Sequence, residues 1–70
     1  MDRETAYAII ENQYGVARSV MSTYFKYLDD LFLSVNITPY DATNYLMTEF
    51  SLAEDFATSI VETYCNCVGY

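Results

Sequence analysis

The fold of this chain is decided by residues 2–34, which read DRETAYAIIENQYGVARSVMSTYFKYLDDLFLS. Apolar side chains recur through this stretch at alternating steps of three and four residues, which is the spacing of one face of an amphipathic helix. The stripe consists of Tyr7, Ile10, Tyr14, Ala17, Met21, Tyr24, Leu28, Leu31 and Val35. The spacing predicts a single long helix over residues 3–34, with Asp2 as its N-cap.

The length of this predicted helix conflicts with the size of the chain. A straight helix over residues 3–34 would be about 48 Å long, whereas a compact domain of 70 residues is roughly 28 Å across. Either the helix breaks, with Gly15 as the expected position because glycine is a poor helix former, or it stays straight and projects. A projecting apolar stripe would pair with a second copy of the chain, which predicts a homodimer. The predicted self-association residues are Tyr14, Ala17, Met21, Tyr24 and Leu28.

A second helix has a well-specified start. Thr38 is placed as the N-cap, Pro39 occupies the first helical position, and Asp41 stands at the third. This arrangement satisfies the otherwise unpaired N–H groups at a helix start and supplies a favourable backbone angle. We predict this helix over residues 39–50.

A third helix is predicted over residues 52–66. Ser51 followed by Glu54 has the form of a capping box, so we place the boundary between the second and third helices there. Apolar and polar residues do not alternate as they would in a strand, and the chain has no Asn-Gly or Asp-Gly hairpin turn. The sequence therefore predicts one all-α domain over residues 1–70, built as a small helical bundle.

Charge is the least ordinary property of the chain. Ten acidic residues stand against three basic ones, for a net charge of −7, and no Lys or Arg follows Lys26. Carboxylates therefore dominate the second half, where Tyr40 and Tyr45 add side chains of a type enriched in protein interfaces. The acidic residues after Lys26 are Asp29, Asp30, Asp41, Glu49, Glu54, Asp55 and Glu62. Such a surface disfavours direct binding to nucleic acid, which needs Lys and Arg, and favours a basic protein partner.

No pattern in the chain is typical of an enzyme. The sequence has no His and only two Gly, so catalytic triads and phosphate-binding glycine loops are absent. Cys65 and Cys67 lack the usual metal-binding spacing, and adjacent carboxylates on a helix point in different directions. We expect no catalytic residue, cofactor or metal.

Two functional hypotheses remain. The first is a non-enzymatic binding protein whose acidic residues, together with Tyr40 and Tyr45, dock on a basic protein, in particular one that binds nucleic acid. In its most specific form the carboxylates mimic nucleic-acid phosphates, as in small acidic viral inhibitors such as anti-CRISPR or anti-restriction proteins, which this chain resembles in size and charge only. The alternative is a structural oligomerisation module that acts through the apolar face of helix 1. Since the chain has neither a signal peptide nor a membrane-spanning stretch, we expect it in the cytoplasm of a bacterial cell or an infected host cell.

Overall fold

The computed structural model describes residues 1–34 and 36–69, and Val35 of the predicted stripe lies outside them. Four α-helices follow one another and no strand occurs in these two ranges. They are α1 (Arg3–Tyr14), α2 (Arg18–Ser34), α3 (Pro39–Phe50) and α4 (Glu54–Val68). The all-α class is confirmed, whereas the prediction of one long helix and two shorter ones is wrong by one helix.

The predicted long helix breaks at Gly15. Gly15 has the left-handed backbone angles φ 69° and ψ 28°, and its N–H donates to the carbonyl of Glu11 at 2.8 Å. Glycine adopts this conformation readily because it has no Cβ, so the residue ends α1 and lets the chain turn. The described residues extend 30 × 25 × 17 Å, which is too short for a continuous helix of about 48 Å.

The inward face of α2 is the predicted one, but one of its residues differs. Met21 and Leu28 are fully buried, as the spacing would suggest, but the residue between them in the core is Phe25 and not Tyr24. Tyr24 is only half-buried. Met21, Phe25 and Leu28 follow one another at steps of four and three, so they lie on one face, and the prediction is wrong here only in placing Tyr24 in the core in place of Phe25.

The start of α3 is as predicted. The Thr38 hydroxyl accepts from the backbone N–H of Asp41 at 3.2 Å, and the Thr38 N–H donates to the Asp41 carboxylate at 3.4 Å. These reciprocal bonds form a capping box, with Pro39 in the first turn. The bounds of α3 agree with the predicted range 39–50.

The predicted capping box at Ser51 is wrong. Ser51 ends α3 in a left-handed conformation with φ 56°, and its N–H donates to the carbonyl of Met47. The N-cap of α4 is Ala53, which makes no side-chain capping bond. The helix begins at Glu54 and ends at Val68, so it starts two residues later and ends two residues later than the predicted range 52–66.

The core lies where α4 meets the other three helices, each of which it contacts. Within the described ranges the buried residues are all apolar, and no polar or charged residue joins them. They are Ala6, Tyr7, Ile10, Met21, Phe25, Leu28, Ala42, Leu46, Ala57, Ile60, Val61, Tyr64 and Cys65. Burial of this apolar surface is the main force that holds the four helices together.

Candidate functional site

Asp29, expected on an acidic docking face, lies instead in a network between helices. Its Oδ1 accepts from Arg3 Nη2 at 2.6 Å and from the Tyr64 hydroxyl at 2.8 Å, which joins α2 to α1 and α4. The Arg3 guanidinium also lies 5.6 Å from the ring centre of Phe25 and 5.8 Å from that of Tyr64. Asp29 therefore links three helices, and its place on a docking face stays a prediction.

The pKa of Asp29 reflects this network. Partial burial acts to raise it, but the hydrogen bonds from Arg3 and Tyr64 and the positive charge of Arg3 outweigh burial, so the pKa is below its usual value. The hydrogen bond to Asp29 in turn raises the pKa of Arg3. Both groups stay charged at neutral pH.

Arg18 is also engaged within the first half of the chain. Its Nε donates to Glu11 at 2.9 Å and its Nη1 to Glu4 at 2.7 Å, so one guanidinium bridges two carboxylates of α1. Lys26 is exposed and takes part in no ion pair with the other described residues. Neither arginine therefore offsets the carboxylates of α3 and α4.

A groove of about 410 Å³ lies between the start of α3 and the outer face of α4. The Tyr40 side chain is 75% exposed at this groove, and the exposed carboxylates of Glu54 and Glu62 come from the opposite helix. Buried Val61 contributes apolar surface. The lining residues are Pro39, Tyr40, Thr43, Asn44, Glu54, Thr58, Val61 and Glu62.

The other predicted acidic-face residues do not line this groove. Glu49 lies with Tyr45 near Tyr27 of α2, whose hydroxyl donates to the Tyr45 carbonyl at 3.4 Å. Burial first, and then the negative charge of Glu49, raises the pKa of Tyr27. Tyr45 is five positions after Tyr40, or about 140° around the helix, so the two tyrosines belong to different faces. The predicted tyrosines are thus divided between two faces of α3, with Tyr40 at the groove and Tyr45 near Tyr27.

The three remaining acidic residues have separate positions. Asp41 is half-buried and caps α3, while Asp30 on α2 and Asp55 in the first turn of α4 are exposed. Asp55 is next to Glu54 in sequence but is not part of the groove. Of the predicted docking residues, the structure therefore brings together Tyr40, Glu54 and Glu62.

The predicted self-association residues are also divided. Met21 and Leu28 are fully buried in the chain's own core, so neither is on a surface that a second copy could contact. Tyr14 and Tyr24 are half-buried, and Ala17 is exposed between α1 and α2. Two of the five predicted residues are therefore core residues of the single chain.

Tyr14 and Tyr24 belong to a row of half-buried aromatic rings in edge-to-face contact. Phe56 links them, with ring centres 4.9 Å from Tyr14 and 6.1 Å from Tyr24, and the row continues through Phe50 to Tyr27 at 5.0 and 5.3 Å. The Tyr14 hydroxyl also lies 2.9 Å from Ser59 Oγ. Sequence periodicity missed this row because it joins residues of all four helices.

The polar lining of the groove was missed as well. Thr43 and Asn44 of α3 and Thr58 of α4 have no distinguishing motif, and only their position opposite one another makes them part of one surface. Their side chains are short and uncharged, so the charged groups of the groove are Glu54 and Glu62. Sequence periodicity predicts which face of each helix is apolar, but it does not predict which helix faces pack against each other.

No group of three or more potential metal ligands occurs in residues 1–34 and 36–69. Cys65 and Cys67 are free thiols, the first buried and the second half-buried. Burial raises the pKa of the Cys65 thiol, which keeps it in the less reactive protonated form at neutral pH.

No protein-family model, curated protein or solved structure gives a significant match to this chain. Among the described residues, no helix combines the length and apolar character needed to cross a bilayer.

Proposed function

We propose that the protein is a non-enzymatic binding protein that docks on a basic surface of another protein through the groove between α3 and α4. The observation that carries this proposal is the convergence of Glu54, Glu62 and the exposed Tyr40 ring on one groove. Carboxylates attract a basic partner, and tyrosine supplies contact area with little loss of conformational entropy.

The distribution of cations supports the same surface. Both arginines bind carboxylates of α1 and α2, and no Lys or Arg occurs in α3 or α4. Among residues 1–34 and 36–69, no Lys or Arg pairs with Glu54 or Glu62, so an incoming basic group would displace no cation of these residues. The more specific proposal is that the partner binds nucleic acid and that Glu54 and Glu62 occupy places otherwise taken by phosphates.

Affinity capture from a nuclease-treated cell lysate tests the proposed function. Immobilised wild-type protein should retain basic, nucleic-acid-binding proteins at low salt, with capture weakening as salt screens the charges. The double variant Glu54→Lys and Glu62→Lys should lose them, whereas the matched variant Asp55→Lys and Glu49→Lys should retain most. Added duplex DNA should displace a partner held by phosphate mimicry.

Two outcomes contradict this proposal. Capture that is equal for both double variants would place the docking surface elsewhere, and a retained set without basic proteins would refute charge-driven docking. Circular dichroism on each variant ensures that a loss of capture does not reflect unfolding. All four substituted side chains are exposed, so their replacement leaves the core intact.

Self-association through the apolar surface of α1 and α2 is the second candidate function. It is favoured by two exposed apolar side chains, Ile9 on α1 and Val20 on α2, which are 42% and 37% exposed. Val20→Glu should convert a dimer to a monomer in analytical ultracentrifugation without loss of helicity, with Ser22→Glu as the exposed control on the same helix. A wild-type protein that is monomeric at all concentrations measured would exclude this function.

A further inference from the structure

We infer that the groove between α3 and α4 selects arginine side chains of the partner, which pack against the Tyr40 ring and pair with the carboxylate of Glu54 or of Glu62. This inference rests on the proposed function and names the residue type that the groove recognises. The three side chains come from the two helices that line the groove. An open groove of about 410 Å³ has room for a long side chain.

The chain binds its own arginine with the same kinds of group. Arg3 pairs with the Asp29 carboxylate at 2.6 Å, and its guanidinium lies over the rings of Phe25 and Tyr64. A planar guanidinium can donate to a carboxylate while its face lies against an aromatic ring. The groove offers both of these groups, and no ring contact among the described residues involves Tyr40.

The choice of arginine over lysine follows from Tyr40. Both cations are attracted by carboxylates, but the lysine ammonium is compact and strongly hydrated. The guanidinium is planar and more weakly hydrated, so it loses less hydration free energy when it packs against a ring. The Tyr40 ring is 75% exposed, so a partner side chain can reach it. The carboxylates thus supply attraction for any cation, and the ring supplies the discrimination.

The two carboxylates should contribute unequally. Glu54 is in the first turn of α4, where the positive end of the helix dipole partly offsets its charge. Glu62 lies beyond that turn, in the second half of the helix. We therefore expect removal of the Glu62 charge to weaken cation binding more than removal of the Glu54 charge.

Titration with hexa-arginine and hexa-lysine peptides tests the inference, with amide chemical shifts of the 70-residue chain as the readout. Hexa-arginine should shift groove amides and bind about two- to five-fold more tightly than hexa-lysine. Tyr40→Leu should reduce arginine binding to the lysine level, while Tyr45→Leu, on the other face of α3, should preserve the difference. Glu62→Gln should weaken both peptides, and Glu49→Gln should weaken them less.

The outcomes separate this inference from the proposed function. Three outcomes would overturn arginine selection in the groove: equal binding of both peptides, an unchanged preference in Tyr40→Leu, or chemical-shift changes centred on Glu49 and Tyr45. None of these outcomes would contradict docking on a basic partner. If neither peptide binds at low salt, both the inference and charge-driven docking are refuted.

Discussion

Asp29 and Asp30 are adjacent carboxylates on α2, but only Asp29 joins this helix to α1 and α4. Asp29 accepts hydrogen bonds from Arg3 and Tyr64, whereas the adjacent Asp30 is exposed and makes no ion pair with the described residues. The two side chains point about 100° apart on α2. That angle alone separates a residue that joins three helices from one that faces solvent.

The network predicts an acid-sensitive contribution to stability. Since its pKa is lowered in the folded chain, Asp29 stabilises the fold above its unfolded pKa of about 3.9, and this contribution is lost as the pH falls through the folded pKa. Asp29→Asn should lower the free energy of unfolding by about 1 kcal/mol at neutral pH, a modest value because the ion pair is partly exposed. Urea unfolding at neutral and acidic pH measures the difference.

Asp30→Asn is the matched control for that measurement. It removes the same charge from the adjacent position and should leave the acid dependence of unfolding close to that of the wild-type protein. If Asp29→Asn and Asp30→Asn behave alike, the hydrogen bonds of Asp29 do not contribute the expected stability.

At the scale of the helices, Gly15 decides the architecture. Its left-handed backbone ends α1, and a Cβ added there would meet nothing within 4 Å. The cost of a side chain at this position is therefore conformational and not steric. The same is true of Gly69 beyond α4, with φ 85° and nothing within 4 Å, but that residue precedes no further helix in the described chain.

Gly15→Ala should destabilise the fold by about 1 kcal/mol, because a left-handed conformation is unfavourable for alanine. Alanine also lowers the conformational entropy of the unfolded chain, but this stabilising effect offsets only part of the loss. Gly69→Ala should cost less, since the end of α4 can fray without disturbing the core. Thermal unfolding followed by circular dichroism compares the two variants. A more stable Gly15→Ala protein would mean that α1 and α2 prefer to join as one helix.

The whole molecule carries its charge unevenly. The three cations lie on α1 and α2, while α3 and α4 have Asp41, Glu49, Glu54, Asp55 and Glu62 without any Lys or Arg. Repulsion among these carboxylates opposes folding, and the three exposed or partly exposed ion-pair contacts each contribute little against it.

Raising the salt concentration from a low value to about 0.5 M should therefore stabilise the isolated protein, because screening reduces the net repulsion of a chain with charge −7. The urea midpoint at neutral pH should increase with salt. The variant Glu49→Gln, which removes one of these charges, should show a smaller increase. A midpoint that falls as salt rises would indicate that the ion pairs of Arg3 and Arg18 outweigh the repulsion.

The sequence by itself determined the features that depend on neighbours along the chain. The all-α class follows from periodicity, the start of α3 from Thr38, Pro39 and Asp41, and the charge asymmetry from the position of Lys26. A capping bond joins residues only a few positions apart, and a count of charges depends on no contact between residues. The prediction for Ser51 was nevertheless wrong, because serine is a common N-cap residue but the backbone of Ser51 is left-handed and ends α3.

Only the tertiary structure decided which faces meet. Once the chain turns at Gly15, the inward face of α2 is set by packing against the other helices, so Phe25 enters the core and Tyr24 stays at its edge. Packing likewise directs Asp29 to Arg3, 26 residues away in sequence. The groove with Tyr40, Glu54 and Glu62 exists for the same reason, because its lining comes from two helices whose contact no local pattern specifies.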